Sequence, residues 1–189
     1  MSKSILVPKH SRIRCAAAVV TAILVTAAGS VGAEERPCVA PGRLVPIAGK
    51  VLNNSVGTGE SLGTLHGTID GSRKLKCGIH GKPFFNPDGS FAGFTHSLVC
   101  DDTVIAENGV DTIHSQVVSI SRFIAPPSFR SCGIPGLDLN YGAFREISEP
   151  QSGRGIFSPS GGGRLLIDGV VNCAGAIDMN FAGEICVMP

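Results

Sequence analysis

Near its C-terminus the chain reads Ala176-Ile-Asp-Met-Asn-Phe-Ala-Gly-Glu-Ile185, in which two kinds of residue alternate. One parity is apolar: Ile177, Met179, Phe181 and Ile185. The other parity is small or polar and includes Asp178, Asn180 and Glu184. A period of two over ten residues predicts a β-strand with one apolar face. The pattern leaves open whether that face lines an interior or is covered from outside, and we expect the three polar side chains to lie on the surface.

Toward the N-terminus similar short runs recur between clusters of Gly, Pro, Asn and Asp, and none of them has helical periodicity. Turns are predicted at 53–55, 70–72, 86–90 and 107–109, and 126–136 reads as a loop crossing one end of the sheet, tied down by Cys132. The predicted strands are 44–52, 62–70, 74–80, 91–100, 112–124, 143–147, 164–171 and 176–187, with a short extended segment at 155–157. This spacing predicts an all-β, antiparallel fold of about eight strands, a sandwich or a barrel.

The first 33 residues have the composition of an export signal. Basic residues lie between Lys3 and Arg14, an uncharged run of 14 residues follows from 15 to 28, and small residues end at Ala33. This order is typical of a secretory signal peptide. As a helix the apolar run rises only about 21 Å, less than a bilayer needs. We therefore expect a signal helix over 1–33, a lead-in over 34–43, a single β-barrel domain over 44–189 with no membrane span, and export to the periplasm or the extracellular space.

Cleavage after Ala33 would leave 12 basic and 15 acidic residues and six of the seven cysteines. A charge so close to zero argues against nucleic acid as a partner. An even number of cysteines in an exported chain is typical of a disulfide framework.

The positions of the cysteines suggest their pairing. A hairpin folded about 86–90 places Cys77 opposite Cys100, at a separation that a disulfide can bridge. Cys173 and Cys186 would stand about 40 Å apart on one extended run, which excludes that pair. If the first strand pairs with the last, Cys38 lies near Cys186, and Cys132 is left with Cys173.

The C-terminal third resembles a known group of barrels. The segments GIFSPSGGGRLLIDGVV (155–171) and AIDMNFAGEIC (176–186) are similar to closing strands of the allene oxide cyclase-like and dirigent-like β-barrels. The resemblance implies an eight-stranded calycin-like barrel with a cavity for a small ligand, in some members assembled as a homo-oligomer. It carries over no catalytic residue, because none of that family's active-site residues can be placed on this chain.

Metal binding is one chemical possibility. His96 and His114 fall in predicted strands, and with Asp101, Asp102 or Asp111 nearby they could hold a divalent metal. The alternative is that these histidines are polar residues at a rim or on the surface. We expect no metal and no cofactor, because no tight ligand spacing such as HExxH occurs.

Acid–base chemistry is a second possibility, with Asp101-Asp102, Asp178 and Glu184 as candidates. We expect Asp101-Asp102 to form a solvated turn instead. The chain lacks a Gly-x-Ser-x-Gly elbow and a phosphate-binding loop. The favoured interpretation is an exported barrel without enzymatic activity that binds a small apolar ligand or a partner surface. The alternatives are an allene oxide cyclase-like isomerase or cyclase with an apolar cavity, and a purely structural envelope protein.

Overall fold

The computed structural model describes residues 36–57, 59–105, 112–136 and 139–189, which form β-strands joined by turns and loops. The predicted leader over 1–33, the predicted turn at 107–109 and the candidate ligand Asp111 lie outside the described residues. No helix occurs in the described part of the chain, so none there could cross a membrane. The strands are β1 (Arg43–Gly57), β2 (Glu60–Ile69), β3 (Arg73–Phe85), β4 (Phe91–Ile105), β5 (Thr112–Phe123), β6 (Arg130–Ser131), β7 (Asn140–Arg154), β8 (Gly163–Val171) and β9 (Ala176–Val187).

Eight of these strands close into an antiparallel barrel. The order of neighbours is β5-β4-β3-β2-β1-β9-β8-β7, and β5 also pairs with β7. The two-residue β6 pairs only with the start of β7. The first long strand pairs with the last over twelve residues, from Arg43 with Val187 to Asn54 with Ala176. The predicted all-β, eight-stranded antiparallel barrel is confirmed.

The alternation on β9 separates the interior of the barrel from its surface. Met179, Phe181 and Ile185 are buried, whereas Asp178 and Glu184 are exposed. Asn180 is exposed as well. The apolar parity therefore lines the interior, and the three polar side chains lie on the surface, as expected from their pattern.

The hairpin between β3 and β4 turns where the sequence predicts it. Asp88 Oδ1 accepts hydrogen bonds from Ser90 N at 2.9 Å and from Ser90 Oγ at 2.6 Å. These bonds stabilise the charged carboxylate and lower the pKa of Asp88. The turn sets a register in which Cys77 lies directly opposite Cys100.

Three disulfides tie the barrel, and they are the three pairs that the sequence suggests. Cys77 is joined to Cys100 between β3 and β4. Cys38 is joined to Cys186, which fastens the lead-in to β9, and Cys132 is joined to Cys173, which fastens the loop after β5. Three disulfides within one chain are compatible with an oxidising compartment.

Two predicted turns are wrong because the strands continue through them. Residues 53–55 lie in β1, where Asn53 is buried and its Nδ2 donates to Ser61 Oγ at 3.2 Å. Asp101 and Asp102 lie in β4. Asp102 accepts hydrogen bonds from Arg73 on β3 and Ser115 on β5, so cross-strand contacts hold the aspartates in the sheet.

The interior differs between the two ends of the barrel. At the end where β1 begins, here called the closed end, the interior is filled by apolar side chains such as Val45, Leu75 and Phe157. At the opposite end, here called the mouth, the buried inward positions include Asn53, Ser61, His96, Ser121 and Glu146. Buried polar side chains are therefore frequent at the mouth, and others, including Ser115, Glu149 and Ser158, are buried elsewhere.

Candidate functional site

The mouth contains a cavity of about 280 Å³. Aromatic rings, including those of Phe94 and Phe123, form part of its wall. The polar side chains that line it include Asn53, Ser61, His96 and Glu146. This volume is close to the lower end of the range typical of small-molecule sites, about 300–1,000 Å³.

Small residues contribute to the space at the mouth. Ser55, Gly59, Ser61 and Gly175 line the cavity, where larger side chains would take up part of its volume. On β3, Gly81 lies opposite His96. A Cβ added at Gly81 would lie 2.7 Å from Ser61 Oγ and 3.1 Å from the His96 ring, so the glycine allows these two side chains to pack closely against the β3 backbone.

Phenylalanine rings form one side of the cavity. Phe94, Phe123, Phe129 and Phe144 all line it. The ring of Phe123 lies 6.0 Å from that of Phe94, 6.2 Å from that of Phe129 and 5.9 Å from that of Phe144, measured between centroids. Such edge-on contacts make a continuous apolar wall. The wall continues to the exposed ring of Phe91, 5.5 Å from Phe123.

The loop after β5 brings Phe129 over the mouth. Backbone and side-chain hydrogen bonds join Ser128 to Ala143 on β7. Further along, Cys132 N donates to Leu139 O, and the disulfide from Cys132 to Cys173 holds the loop against the turn between β8 and β9. The loop therefore contributes Phe129 and Leu139 to the cavity from a tethered position.

His96 lies on β4 and is 6% exposed. Its Nδ1 is 2.9 Å from Ser121 Oγ, and its ring stacks beside Phe94 with 6.1 Å between centroids. Burial lowers the pKa of His96 to about 4, so the imidazole is neutral at pH 7. A neutral imidazole has one nitrogen that donates and one that accepts, so His96 can offer a polar group to a ligand without carrying a charge.

Glu146 lies on β7 and is only 2% exposed. Its Oε2 has no hydrogen-bond partner among the described residues. Burial raises the pKa of Glu146 to about 7, so the carboxylic acid and the carboxylate are both populated near neutral pH. A carboxyl group poised in this way can give up or accept a proton under ordinary conditions.

Asn53 adds a second unpaired oxygen to the same cavity. Its Nδ2 donates to Ser61, but its buried Oδ1 has no partner in the described part of the chain. An unpaired buried polar group costs about 1–3 kcal/mol. A ligand that donates a hydrogen bond to Asn53 would recover part of that cost.

The two histidines considered as metal ligands do not come together. His96 faces the interior and lies opposite Ser119, whereas His114 is exposed and lies opposite Thr103. Five residues of β5 separate Ser119 from His114, about 16 Å along the strand. The suggested pairing of His96 with His114 is therefore wrong, because the two side chains are on opposite faces of the sheet. The described residues contain no group of three or more His, Cys, Asp or Glu side chains arranged to hold a metal ion.

The acid–base candidates taken from the sequence are not at the cavity. Asp178, Glu184 and Asp101 are exposed, and Asp102 is engaged by Arg73 and Ser115 on neighbouring strands. Sequence reasoning missed Glu146 because polar residues of an alternating strand are normally expected to point outward. On β7 the inward positions instead include Glu146 and Ser148, both of which are polar. The one available clue was the apolar Phe144 on the same parity.

The chain was compared with known proteins, and no family model, curated protein or solved structure matches it.

Proposed function

We propose that this protein is an exported barrel that binds a small, largely apolar ligand in the cavity at its mouth. The observation that carries the proposal is the cavity of about 280 Å³ with its phenylalanine wall. A barrel whose only role is assembly gains nothing from leaving this volume unfilled, because unfilled interior space lowers stability.

The polar groups of the cavity suggest what the ligand carries. His96 is neutral at pH 7 because burial lowers its pKa to about 4, and Glu146 Oε2 and Asn53 Oδ1 are without partners among the described residues. Among the residues that the structure describes, no lysine or arginine lines the cavity. The site therefore suits a hydrocarbon skeleton with an uncharged hydroxyl or carbonyl group, and it disfavours an anion that would need a cation as partner.

Binding can be tested with the uncharged fluorescent probe N-phenyl-1-naphthylamine. We expect its fluorescence to rise on mixing with the protein and to saturate at one probe per chain. Val171 lines the cavity on β8, whereas the neighbouring Val170 is 53% exposed on the outer face. The substitution Val171→Trp should abolish the signal by filling the mouth, and Val170→Trp should leave it unchanged.

Comparison of the Val171→Trp and Val170→Trp variants tests the proposal. Equal binding by both tryptophan variants would place the probe outside the cavity, and no saturable binding by the unsubstituted protein would contradict ligand binding. Native mass spectrometry of protein from its own source, under gentle conditions, should in addition show a co-purified small molecule.

A second candidate is an isomerase or cyclase, the activity that the resemblance to allene oxide cyclase-like barrels implies. Glu146 favours it, because a buried carboxyl group with a raised pKa inside a cavity is typical of catalytic sites. A rigid apolar cavity could steer a reactive substrate with few side chains, so the lack of sequence motifs weighs little against this candidate.

Export is proposed on the composition of residues 1–33 together with the three disulfides. An oxidising space outside the cytoplasm is where such bonds persist. We expect protein recovered from outside the cytoplasm to begin at Glu34 on N-terminal sequencing. A chain that starts at Met1 and stays in the cytoplasm would contradict export and leave ligand binding untouched.

A further inference from the structure

We propose that Glu146 transfers a proton between carbon atoms of an apolar ketone held in the cavity, while His96 donates a hydrogen bond to the carbonyl oxygen. This inference rests on the proposed function, since the ketone must first bind at the mouth. It assigns a reaction class, enolisation of a carbonyl compound, to two side chains that share one cavity.

The position of Glu146 suits a base. In the register of the sheet it lies between Phe123 on β5 and Ile167 on β8. Both neighbours are apolar, and Glu146 Oε2 is buried without a partner among the described residues. A carboxylate with few water and protein hydrogen bonds is a stronger base than one in water.

The position of His96 suits a hydrogen-bond donor. Its Nδ1 is held 2.9 Å from Ser121 Oγ, which fixes the plane of the ring. When the Ser121 hydroxyl donates to Nδ1, the hydrogen of the imidazole lies on Nε2. Gly81 lets the imidazole lie close to the β3 backbone, since a Cβ added there would come within 3.3 Å of Nε2. His96 lines the same cavity as Glu146. A neutral imidazole N–H can stabilise an oxyanion that forms there.

The phenylalanine wall suits the carbon skeleton. Phe94, Phe123 and Phe144 line the cavity with flat apolar surfaces, against which a planar enolate can pack. Access of bulk water to the reacting carbon is limited once the ligand fills a cavity of this size. Packing against the rings also limits how the ketone can orient between Glu146 and His96.

The reaction balances without a co-reactant. The carboxylate of Glu146 takes a proton from the carbon next to the carbonyl group, and the electron pair of the broken C–H bond forms a C=C bond as the carbonyl oxygen becomes an oxyanion. His96 N–H donates a hydrogen bond to that oxyanion. The carboxylic acid of Glu146 then returns the proton to the same carbon or, in a β,γ-unsaturated ketone, to the γ-carbon, which moves the double bond. In D2O the acid exchanges its proton for a solvent deuteron before the return, so the carbon gains deuterium.

The dependence of the rate on pH follows from Glu146. In the described part of the chain, the other ionisable groups that line the cavity are His96, whose pKa burial lowers to about 4, and Glu60, whose Oε2 is 3.0 Å from His80 Nε2 at the rim. The inward neighbours of Glu146 on β5 and β8 are Phe123 and Ile167, which do not ionise. The rate should therefore rise with the carboxylate form of Glu146 and level off above about pH 7.

The test uses 2-tetralone, a bicyclic apolar ketone, in D2O. NMR spectroscopy follows loss of the protons next to the carbonyl group, and calorimetry with 2-naphthol, which has the shape of the enol, measures binding separately. We expect the protein to bind 2-naphthol and to accelerate the exchange. Glu146→Gln should retain 2-naphthol binding and lower the exchange rate by about 100-fold or more. Glu146→Asp, which keeps the acid but shortens its reach, should retain a fraction of the rate.

Glu149→Gln is the matched control, because Glu149 is a buried carboxyl group of the same strand that does not line the cavity. It should leave the exchange rate unchanged, and thermal melting should show that every variant is folded. Binding of 2-naphthol with no accelerated exchange, or with the same exchange rate in Glu146→Gln, would overturn this inference and leave ligand binding standing. No binding of 2-naphthol, of 2-tetralone or of the fluorescent probe would overturn the proposed function itself.

Discussion

Glu146 and His96 are buried in the same mouth, and burial shifts their pKa values in opposite directions. The pKa of Glu146 is raised to about 7 and that of His96 is lowered to about 4, since low polarity disfavours the charged form of each. Both groups are therefore neutral in mildly acidic solution. These two groups are then polar but carry no charge, which fits a ligand that carries a hydroxyl or carbonyl group.

The two shifts have opposite effects on stability. Folded Glu146 keeps its proton up to about pH 7, whereas in the unfolded chain it releases it near pH 4.5, so its contribution to stability falls as the pH rises through that window. Folded His96 stays neutral down to about pH 4 while the unfolded chain takes up a proton near pH 6.5, so its contribution falls as the pH decreases from 6.5 to 4. Between pH 4.5 and 6.5 the two contributions oppose each other.

Substitution separates these contributions. The free energy of unfolding of Glu146→Gln, relative to the unsubstituted protein, should increase by on the order of 3 kcal/mol from pH 4.5 to pH 7. The free energy of unfolding of His96→Gln, relative to the unsubstituted protein, should decrease as the pH rises from 4 to 6.5. Urea denaturation at several pH values measures both. Differences that do not vary with pH would show that the two side chains are not buried as described.

At the scale of elements, the loop after β5 decides how open the mouth is. It carries Phe129 onto the cavity, and the disulfide from Cys132 to Cys173 holds it there. A loop without this tether would sample positions away from the mouth, because fixing a segment costs conformational entropy that the disulfide reduces. The tether should therefore affect ligand affinity as well as stability.

Removal of this disulfide tests that role. The double substitution Cys132→Ala with Cys173→Ala should weaken binding of N-phenyl-1-naphthylamine several-fold and speed its dissociation in stopped-flow fluorescence. The matched control removes Cys38 and Cys186, which are joined at the closed end. That control should leave affinity unchanged in whatever fraction remains folded, and equal affinity in both double variants would contradict a role for the loop at the mouth.

The sequence predicts an element correctly where local residues decide its structure, and incorrectly where contacts with other strands decide it. The hairpin of β3 and β4 is local: the turn at 86–90 and the alternation beside it are enough to pair Cys77 with Cys100. The continuation of β1 through Asn53 is not local, because Asn53 is kept in the strand by pairing with β2 and by its bond to Ser61. A tendency to form a turn was overridden by contacts that a single strand does not contain.

At the scale of the whole molecule, closure of the barrel is the stabilising feature. The pairing of β1 with β9 joins the first and last strands of the barrel, and the Cys38–Cys186 disulfide fastens the lead-in to β9 over a sequence separation of 148 residues. The Cys132–Cys173 disulfide spans 41 residues and the Cys77–Cys100 disulfide spans 23. Longer loops lose more entropy when they are closed in the unfolded chain.

When both cysteines of one disulfide are replaced by alanine, the loss of stability should be larger for the disulfide that closes the longer loop. We expect losses of about 5 kcal/mol without Cys38–Cys186 and about 4 kcal/mol without Cys132–Cys173 from chain entropy. The Cys77–Cys100 bond spans the shortest loop, but both cysteines are buried in the core, so its removal also costs packing. Chemical denaturation of the first two variants measures the order directly, and a larger loss from the 41-residue loop would contradict the entropic account.

The amino-acid sequence by itself determined the strands, the main turns and the outward position of Asp178, Asn180 and Glu184, because these follow from alternation and turn residues within short segments. It also suggested all three disulfides once an antiparallel, closed order of strands was assumed. The tertiary structure alone decided that Glu146 and His96 share a cavity with Asn53, and that His96 and His114 face opposite ways. Side chains from distant strands meet only when the sheet closes. Whether a polar side chain on a barrel strand can point inward depends on the interior space that the side chains of neighbouring strands leave free.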